Sequence, residues 1–190
     1  MIANIRWLLW LNGSLALVFF INAFLFGGAL NGFGIYPRTQ TGLIGIAASP
    51  WLHGSIEHLI NNLIGMSSFA LLTLGYGKRY FLSASAIIIL VGGLGVWLFG
   101  RPNIHIGASG WIFGLWALAL GNAWFHRSLK TLLIAIVVII FWGGMAIGVL
   151  PSDPRISFEA HLFGAAAGLL AAAALKPRSR KRQRTNKCGL

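Results

Sequence analysis

The chain has 190 residues, 57% of them hydrophobic and only 9% charged, with a formal net charge of +12. A soluble domain carries about 25% charged residues, so this much apolar surface could not be hidden in water and the chain reads as an integral membrane protein. Its three acidic residues, Glu57, Asp153 and Glu159, leave carboxylate-based chemistry almost nothing to draw on.

Spanning the hydrocarbon core takes about 20 mostly apolar residues, and six segments qualify or nearly do. The first, Trp7–Leu30 (about 7–30), is longer than the apolar core of a signal peptide, about 7–15 residues, and is expected to be a retained span. A long connection, 31 to about 54, follows. It holds Gly32, Gly34, Pro37 and Pro50 among apolar Ile35, Leu43, Ile44, Ile46 and Trp51, a composition expected to fold against the bilayer interface. The remaining spans are expected at about 55–75, 81–99, 109–125, 132–150 and 158–175, the last stopped by Lys176-Pro177. The predicted architecture is an all-α membrane protein, a six-transmembrane-helix bundle over residues 1–175, with a basic disordered tail at 176–190.

The basic residues orient this bundle. With six spans, both termini share a side. Arg6, Lys78, Arg79, Arg127, Lys130 and the seven basic residues from Lys176 to Lys187 then lie on one face, against Arg38, Arg101 and Arg155 on the other. A twelve-to-three split places both termini in the cytoplasm by the positive-inside rule. The tail fits anionic lipid headgroups better than nucleic acid, because it adjoins an apolar helix. The lone cysteine, Cys188, allows no intrachain disulfide and no cysteine metal site.

Polar residues inside spans are costly and mark function by default. Here they are His58, Asn61 and Asn62 in the second span, Ser109 opening the fourth, and His161 opening the sixth. All three spans start on the outer face, so the three groups share one depth and can meet. His58 and Asn62 are four apart and share a helix face. Gly110 with Gly114, and Gly164 with Gly168, offer small-residue stripes along which the fourth and sixth spans can approach closely. That approach is what a hydrogen bond from Ser109 to His161 requires, at a reach of about 2.6–3.2 Å. Ser109 follows Gly107-Ala108 at a helix start, where free backbone N–H groups favour an oxyanion. As a bland alternative, Ser109 is a helix cap and His58 and Asn62 are interhelical glue.

An acidic third member is hard to find: Glu159 points roughly opposite to His161, and Glu57 projects about 100° from His58. The economical reading is a Ser109–His161 dyad. His53, His105 and His126 lie in or beside loops without an expected catalytic role, although His53 is placed to hold the first loop near the site. No metal is expected, since His53 and His58 diverge by about 140° and carboxylate co-ligands are scarce.

These residues together carry a resemblance. His53-Gly-Ser-Ile-Glu-His58-Leu-Ile-Asn-Asn62 resembles the second-helix motif of the rhomboid family, Gly107-Ala108-Ser109-Gly110 is similar to its GxSG motif, and Ala160-His161-Leu-Phe-Gly164-Ala-Ala-Ala-Gly168 is similar to its sixth-helix motif. The resemblance covers about Pro50 to Leu175. It implies an intramembrane serine protease that cleaves the transmembrane segments of other proteins near their outer end, without a cofactor. Ser109 would be the nucleophile and His161 the base. His58, Asn62 and the Ser109 backbone would form the oxyanion hole. Gly107, Gly110 and Gly164 would shape the site, and Phe113 would stack on His161 where many relatives have tyrosine. The Trp-Arg pair that many relatives carry in the first outer loop is absent, and for a gate on the fifth span Phe141 and Trp142 are the candidates. Short basic loops suit a bacterial inner membrane. The alternative is an inactive relative that binds membrane helices; such relatives typically lose the serine or the histidine, and both stand here.

Overall fold

The computed structural model describes residues 2–151, 153 and 156–177. Most of the expected tail, with Cys188, lies outside the described residues, as does Arg155. The described chain folds as α1 (Ile2–Leu25), α2 (Gln40–Ala48), α3 (Ile56–Leu74), α4 (Lys78–Ile87), α5 (Gly93–Phe99), α6 (Ser109–His126), α7 (Leu129–Trp142) and α8 (Phe158–Ala174). A widened turn at Ile88–Gly92 joins α4 and α5 into one rod, and a tighter 3₁₀ segment, Gly143–Val149, extends α7. Among the described residues the one β-type pairing is Ile35 with His105, two reciprocal bonds of 3.0 and 2.9 Å.

By length and composition, Ile2–Leu25, Lys78–Phe99 and Leu129–Val149 suffice to cross a membrane, and α8 is a shorter apolar helix. The helices α3 and α6 are not in that set, because they carry the polar and small residues that build the interior. α1 departs from the expected 7–30. It starts earlier and ends at Leu25, because Gly27 and Gly28 take positive φ values of 55° and 87° and turn the chain over. The buried Asn22 side chain then accepts from Leu30 N–H at 2.9 Å and donates to Asn31 Oδ1 at 3.0 Å.

The helix α6 is central, with Trp111, Ile112, Leu115 and Leu118 buried. Its tightest neighbour is α8. A Cβ built on Gly164 would lie 2.0 Å from the Gly110 carbonyl oxygen, and one on Gly168 would lie 2.0 Å from that of Gly114. Lipid tails are as apolar as leucine, so helices in a bilayer associate through such close backbone packing and through polar bonds. Bonds of that kind join α1 to α3 at Asn12–Ser67 (2.7 Å) and Asn4–Leu74 C=O (3.1 Å). Around this centre the outer faces of α1 and α7 present Trp10, Phe24, Ile140 and Phe141, all exposed, the surface expected of helices in lipid.

The first long loop is ordered. Thr39 caps α2 by accepting from Gly42 N–H at 3.1 Å, and Trp97 donates to Thr39 C=O at 2.8 Å. Arg38, itself at positive φ, donates to the carbonyls of Leu98 and Gly100 at 3.1 and 2.9 Å, tying the loop to the end of α5.

Candidate active site

Ser109 is the first residue of α6 and is held there by the turn before it. Gly107 has φ 111°, a conformation that favours glycine, and its N–H donates to Ser49 C=O at 2.9 Å. A Cβ at Gly107 would also sit 2.4 Å from His58 Nε2 and 3.3 Å from Asn62 Nδ2, so the position is closed to a side chain on two counts. The first bond of the α6 ladder is Ile112 N–H to Ala108 C=O, 2.9 Å. The N–H groups of Ser109, Gly110 and Trp111 therefore precede the ladder, at the positive end of the helix dipole.

His161 sits one turn into α8, whose start is capped by Ser157. The imidazole is buried, 8% exposed, and both its nitrogens are engaged. Nε2 lies 2.9 Å from Ser109 Oγ and Nδ1 lies 2.8 Å from the Gly148 carbonyl oxygen. A carbonyl only accepts, so Nδ1 carries the proton and Nε2 keeps its lone pair toward the serine hydroxyl. A backbone carbonyl thus selects this tautomer, the one that a general base would need. Phe113 lies flat on the same ring, centroids 4.0 Å apart and planes at 5°, which leaves the imidazole little freedom to tilt. Glu159 points away, as its two-residue offset implies, and pairs with Arg101 at 3.0 Å.

The second-span residues separate into two groups. His58 and Asn62 face Gly107, whereas Asn61 is exposed. Asn62 is 4% exposed and its Nδ2 has no hydrogen-bond partner among the described residues. A buried unmade donor costs about 1–3 kcal/mol, and this one lies beside the turn into Ser109. Gly110 and Gly164 lie at the α6–α8 contact, where their role is to bring the two helices together. A cavity of about 40 Å³ adjoins Gly107 and Gly110, walled largely by Ile46, Ile88, Ile106 and Trp111.

Two features were beyond sequence reasoning or only glimpsed by it. The Gly148 carbonyl had no signal, since every residue has one. His53 is 1% exposed and packs its ring edge-on against His58 at 5.0 Å; its Nδ1–H donates to Trp51 C=O at 3.3 Å, while Asn31 Nδ2 donates to the His53 carbonyl at 3.3 Å. Burial, reinforced by the neighbouring His58, lowers the His53 pKa to about 4, so it is neutral at physiological pH. His126 caps the other end of the bundle by bonding to Ala172 C=O at 2.9 Å, far from this site in sequence and fold.

Residues 40–178 match the family model of the Rhomboid domain. This chain belongs to the Rhomboid family. An uncharacterised protein of Mycobacterium tuberculosis is 37% identical over 174 residues, which is 87% of this rhomboid chain and 72% of that protein. RHOMBOID-like protein 4 of Arabidopsis thaliana is 31% identical over 127 residues, 63% of this chain and 31% of the plant protein. YdcA of Bacillus subtilis strain 168, which carries the provisional name of a rhomboid protease, is 31% identical over 149 residues, 72% of this chain and 73% of YdcA. Family membership and the apolar helices together make this rhomboid an integral membrane protein, a membrane helical bundle of an intramembrane protease family.

Proposed function

We propose that this rhomboid is a serine endopeptidase that cuts the transmembrane segments of other membrane proteins near their outer end, with Ser109 as nucleophile and His161 as general base. The observation that carries the reading is the 2.9 Å contact from Ser109 Oγ to a His161 Nε2 whose lone pair is held in place by the Nδ1–H bond to Gly148.

In this mechanism Ser109 Oγ attacks the scissile carbonyl carbon as its proton passes to His161 Nε2. The imidazolium is stabilised through Nδ1–H by the Gly148 carbonyl dipole, a weaker substitute for an acidic third member. The oxyanion of the tetrahedral intermediate lies against the Ser109 N–H, Asn62 Nδ2 and His58. The Asn62 amide supports this, because it is buried with no hydrogen-bond partner among the described residues, and such a donor is strengthened most where negative charge develops. Collapse breaks the C–N bond, the leaving amine takes the proton from Nε2, and water then attacks the acyl-enzyme with His161 again as base. No cofactor enters any step.

The same reading treats α1, α3, the α4–α5 rod, α6, α7 with its 3₁₀ extension, and α8 as six spans of one domain, residues 1–175. Both termini lie in the cytoplasm, and the basic residues from Lys176 onward meet anionic headgroups of a bacterial inner membrane. The starts of α3, α6 and α8 then share the outer third of the bilayer, which is why cleavage is assigned to the outer end of a substrate helix.

The test is labelling of the purified full chain with a fluorophosphonate serine probe, beside Ser109→Ala and His161→Ala. Labelling of the parent that is lost in both variants supports the dyad. A folded parent that does not label moves the reading to an inactive, helix-binding rhomboid.

A further inference from the structure

The loop that delivers Ser109 and the helix that delivers His161 are joined a second time, away from the reacting atoms. Arg101 begins the loop that leads to Ser109. Its guanidinium Nε lies 3.0 Å from Glu159 Oε1, and its backbone N–H donates to the same oxygen at 3.3 Å. Arg101 Nη2 also donates to the Ile156 carbonyl just before α8. Four residues on, His105 is 3% exposed and bridges the same two elements. Its Nε2–H donates to Arg101 C=O at 3.1 Å, which requires Nδ1 to be the accepting nitrogen, and Ser157 O–H donates to that Nδ1 at 2.5 Å. Ser157 Oγ in turn accepts from Ala160 N–H at 3.3 Å, so the residue that starts α8 is also the residue that grips the loop. Through its backbone, His105 is paired with Ile35 of the first long loop.

The chemistry of this cluster argues against simple stabilisation. Glu159 is 5% exposed, its Oε2 has no hydrogen-bond partner among the described residues, and the Arg101 Nε contact is close without being a well-aligned hydrogen bond. Only the carboxylate of this pair is buried, the Arg101 side chain being 34% exposed; such a half-buried, incompletely satisfied ion pair is a poor source of stability, and the best-attested use of such pairs is to fix a register between elements. The register fixed here is that of α8 against the loop, with Glu159 two residues before His161 and Arg101 eight before Ser109.

We propose that Glu159 and Arg101, assisted by His105 and Ser157, are positioning residues that set the Ser109–His161 separation through their hold on the two elements. This rests on the dyad assignment above. None of the four touches the reacting atoms. The hold explains why Glu159 lies so near His161 while facing away from it, and why Arg101, whose charge belongs in the outer aqueous phase, is drawn onto a buried carboxylate.

The experiment uses the full-length protein in detergent with the parent, Glu159→Gln, Glu159→Asp and Arg101→Lys. Fluorophosphonate labelling is followed to completion, which separates the rate constant from the final labelled fraction. Cleavage of a transmembrane reporter gives kcat and KM. Glu159→Gln and Arg101→Lys are expected to label to the parent's final fraction with a rate constant about 10- to 100-fold lower, the range that a misplacement of about 1 Å reaches. Their kcat should fall similarly with KM nearly unchanged, and Glu159→Asp, which keeps the charge, should recover part of the loss. An unchanged rate constant overturns the proposal. So does a lower final fraction at an unchanged rate constant, which is the signature of a residue that only helps the chain fold. A parent that neither labels nor cleaves is a different failure: the dyad assignment itself falls, and the positioning role falls with it.

Discussion

A Cβ added to Gly164 would lie 2.0 Å from the carbonyl oxygen of Gly110, so the helix bearing His161 and the helix bearing Ser109 touch backbone to backbone. No rotamer change can relieve that clash, because the obstructing atom is main chain. Gly164→Ala must therefore push α8 off α6 and lengthen the Ser109–His161 contact. The expected result is a loss of about 100-fold in cleavage rate with a lower Tm. Gly13→Ala in α1 is the matched control. Among the described residues nothing lies within 4 Å of a Cβ built there, so activity should be unchanged and Tm equal or slightly higher, since alanine replaces glycine within a helix. Equal activity in Gly164→Ala and the parent would refute the close-approach argument.

Asn62 separates two roles that its position alone leaves merged. If its amide were glue between helices, removing it would lower stability. It is instead a buried donor without a partner among the described residues, so Asn62→Ala should leave Tm unchanged or raised while kcat falls about 10²–10³-fold, the range seen for loss of one oxyanion donor. Thermal denaturation and reporter cleavage on the same preparation distinguish the two. A drop in Tm with kcat retained assigns Asn62 to packing.

The polar residues at the starts of three helices were legible because the membrane makes such residues conspicuous, and the Gly110/Gly114 and Gly164/Gly168 spacing foretold which helices touch. Phe113 stacks on His161 as the rhomboid resemblance implied. The boundary of α1 was missed because apolar residues continue past Leu25; the turn depends on the φ angles of Gly27 and Gly28, and hydropathy carries no trace of those. The partner of His161 Nδ1 was illegible for a different reason. It is a main-chain oxygen thirteen residues upstream, and only the 3₁₀ course of 143–149 brings it into place. Arg101 was read as an outer charge and Glu159 as a residue facing away from His161. The structure turns Glu159 away from His161 and onto Arg101, a pairing that arises from tertiary packing alone.

His53 predicts an acid limit for the fold. Its folded pKa of about 4 lies below its ordinary 6.5, so the unfolded chain takes up this proton first as pH falls. The contribution of neutral His53 is complete above about pH 6.5, is lost progressively down to about pH 4, and is constant below that, amounting to at most roughly 3 kcal/mol. Burial lowers the His105 pKa as well, which adds to the slope in the same direction. The parent's Tm should therefore decline between pH 6.5 and 4, and His53→Gln should show a shallower decline. A Tm profile for His53→Gln that overlays the parent's slope would mean that His53 does not hold its neutral form in the folded protein.

Gly148 and Gly144 share one 3₁₀ segment but not one environment. A Cβ on Gly148 would lie 2.7 Å from Phe113 Cζ and 3.4 Å from His161 Nδ1, whereas a Cβ on Gly144 meets nothing within 4 Å among the described residues. Gly148→Ala should therefore displace the Phe113 ring that backs the imidazole and disturb the Nδ1–H bond that selects its tautomer. The expected outcome is a fall in kcat of at least about tenfold with KM little changed, because the loss is felt in proton transfer rather than in holding the substrate helix. Gly144→Ala should match the parent in both constants. Equal effects of the two substitutions would point to a general need for glycine flexibility along 143–149. An effect confined to Gly148 would tie the 3₁₀ extension of α7 to the protonation geometry of His161, so that any substrate movement that shifts this segment also shifts the base.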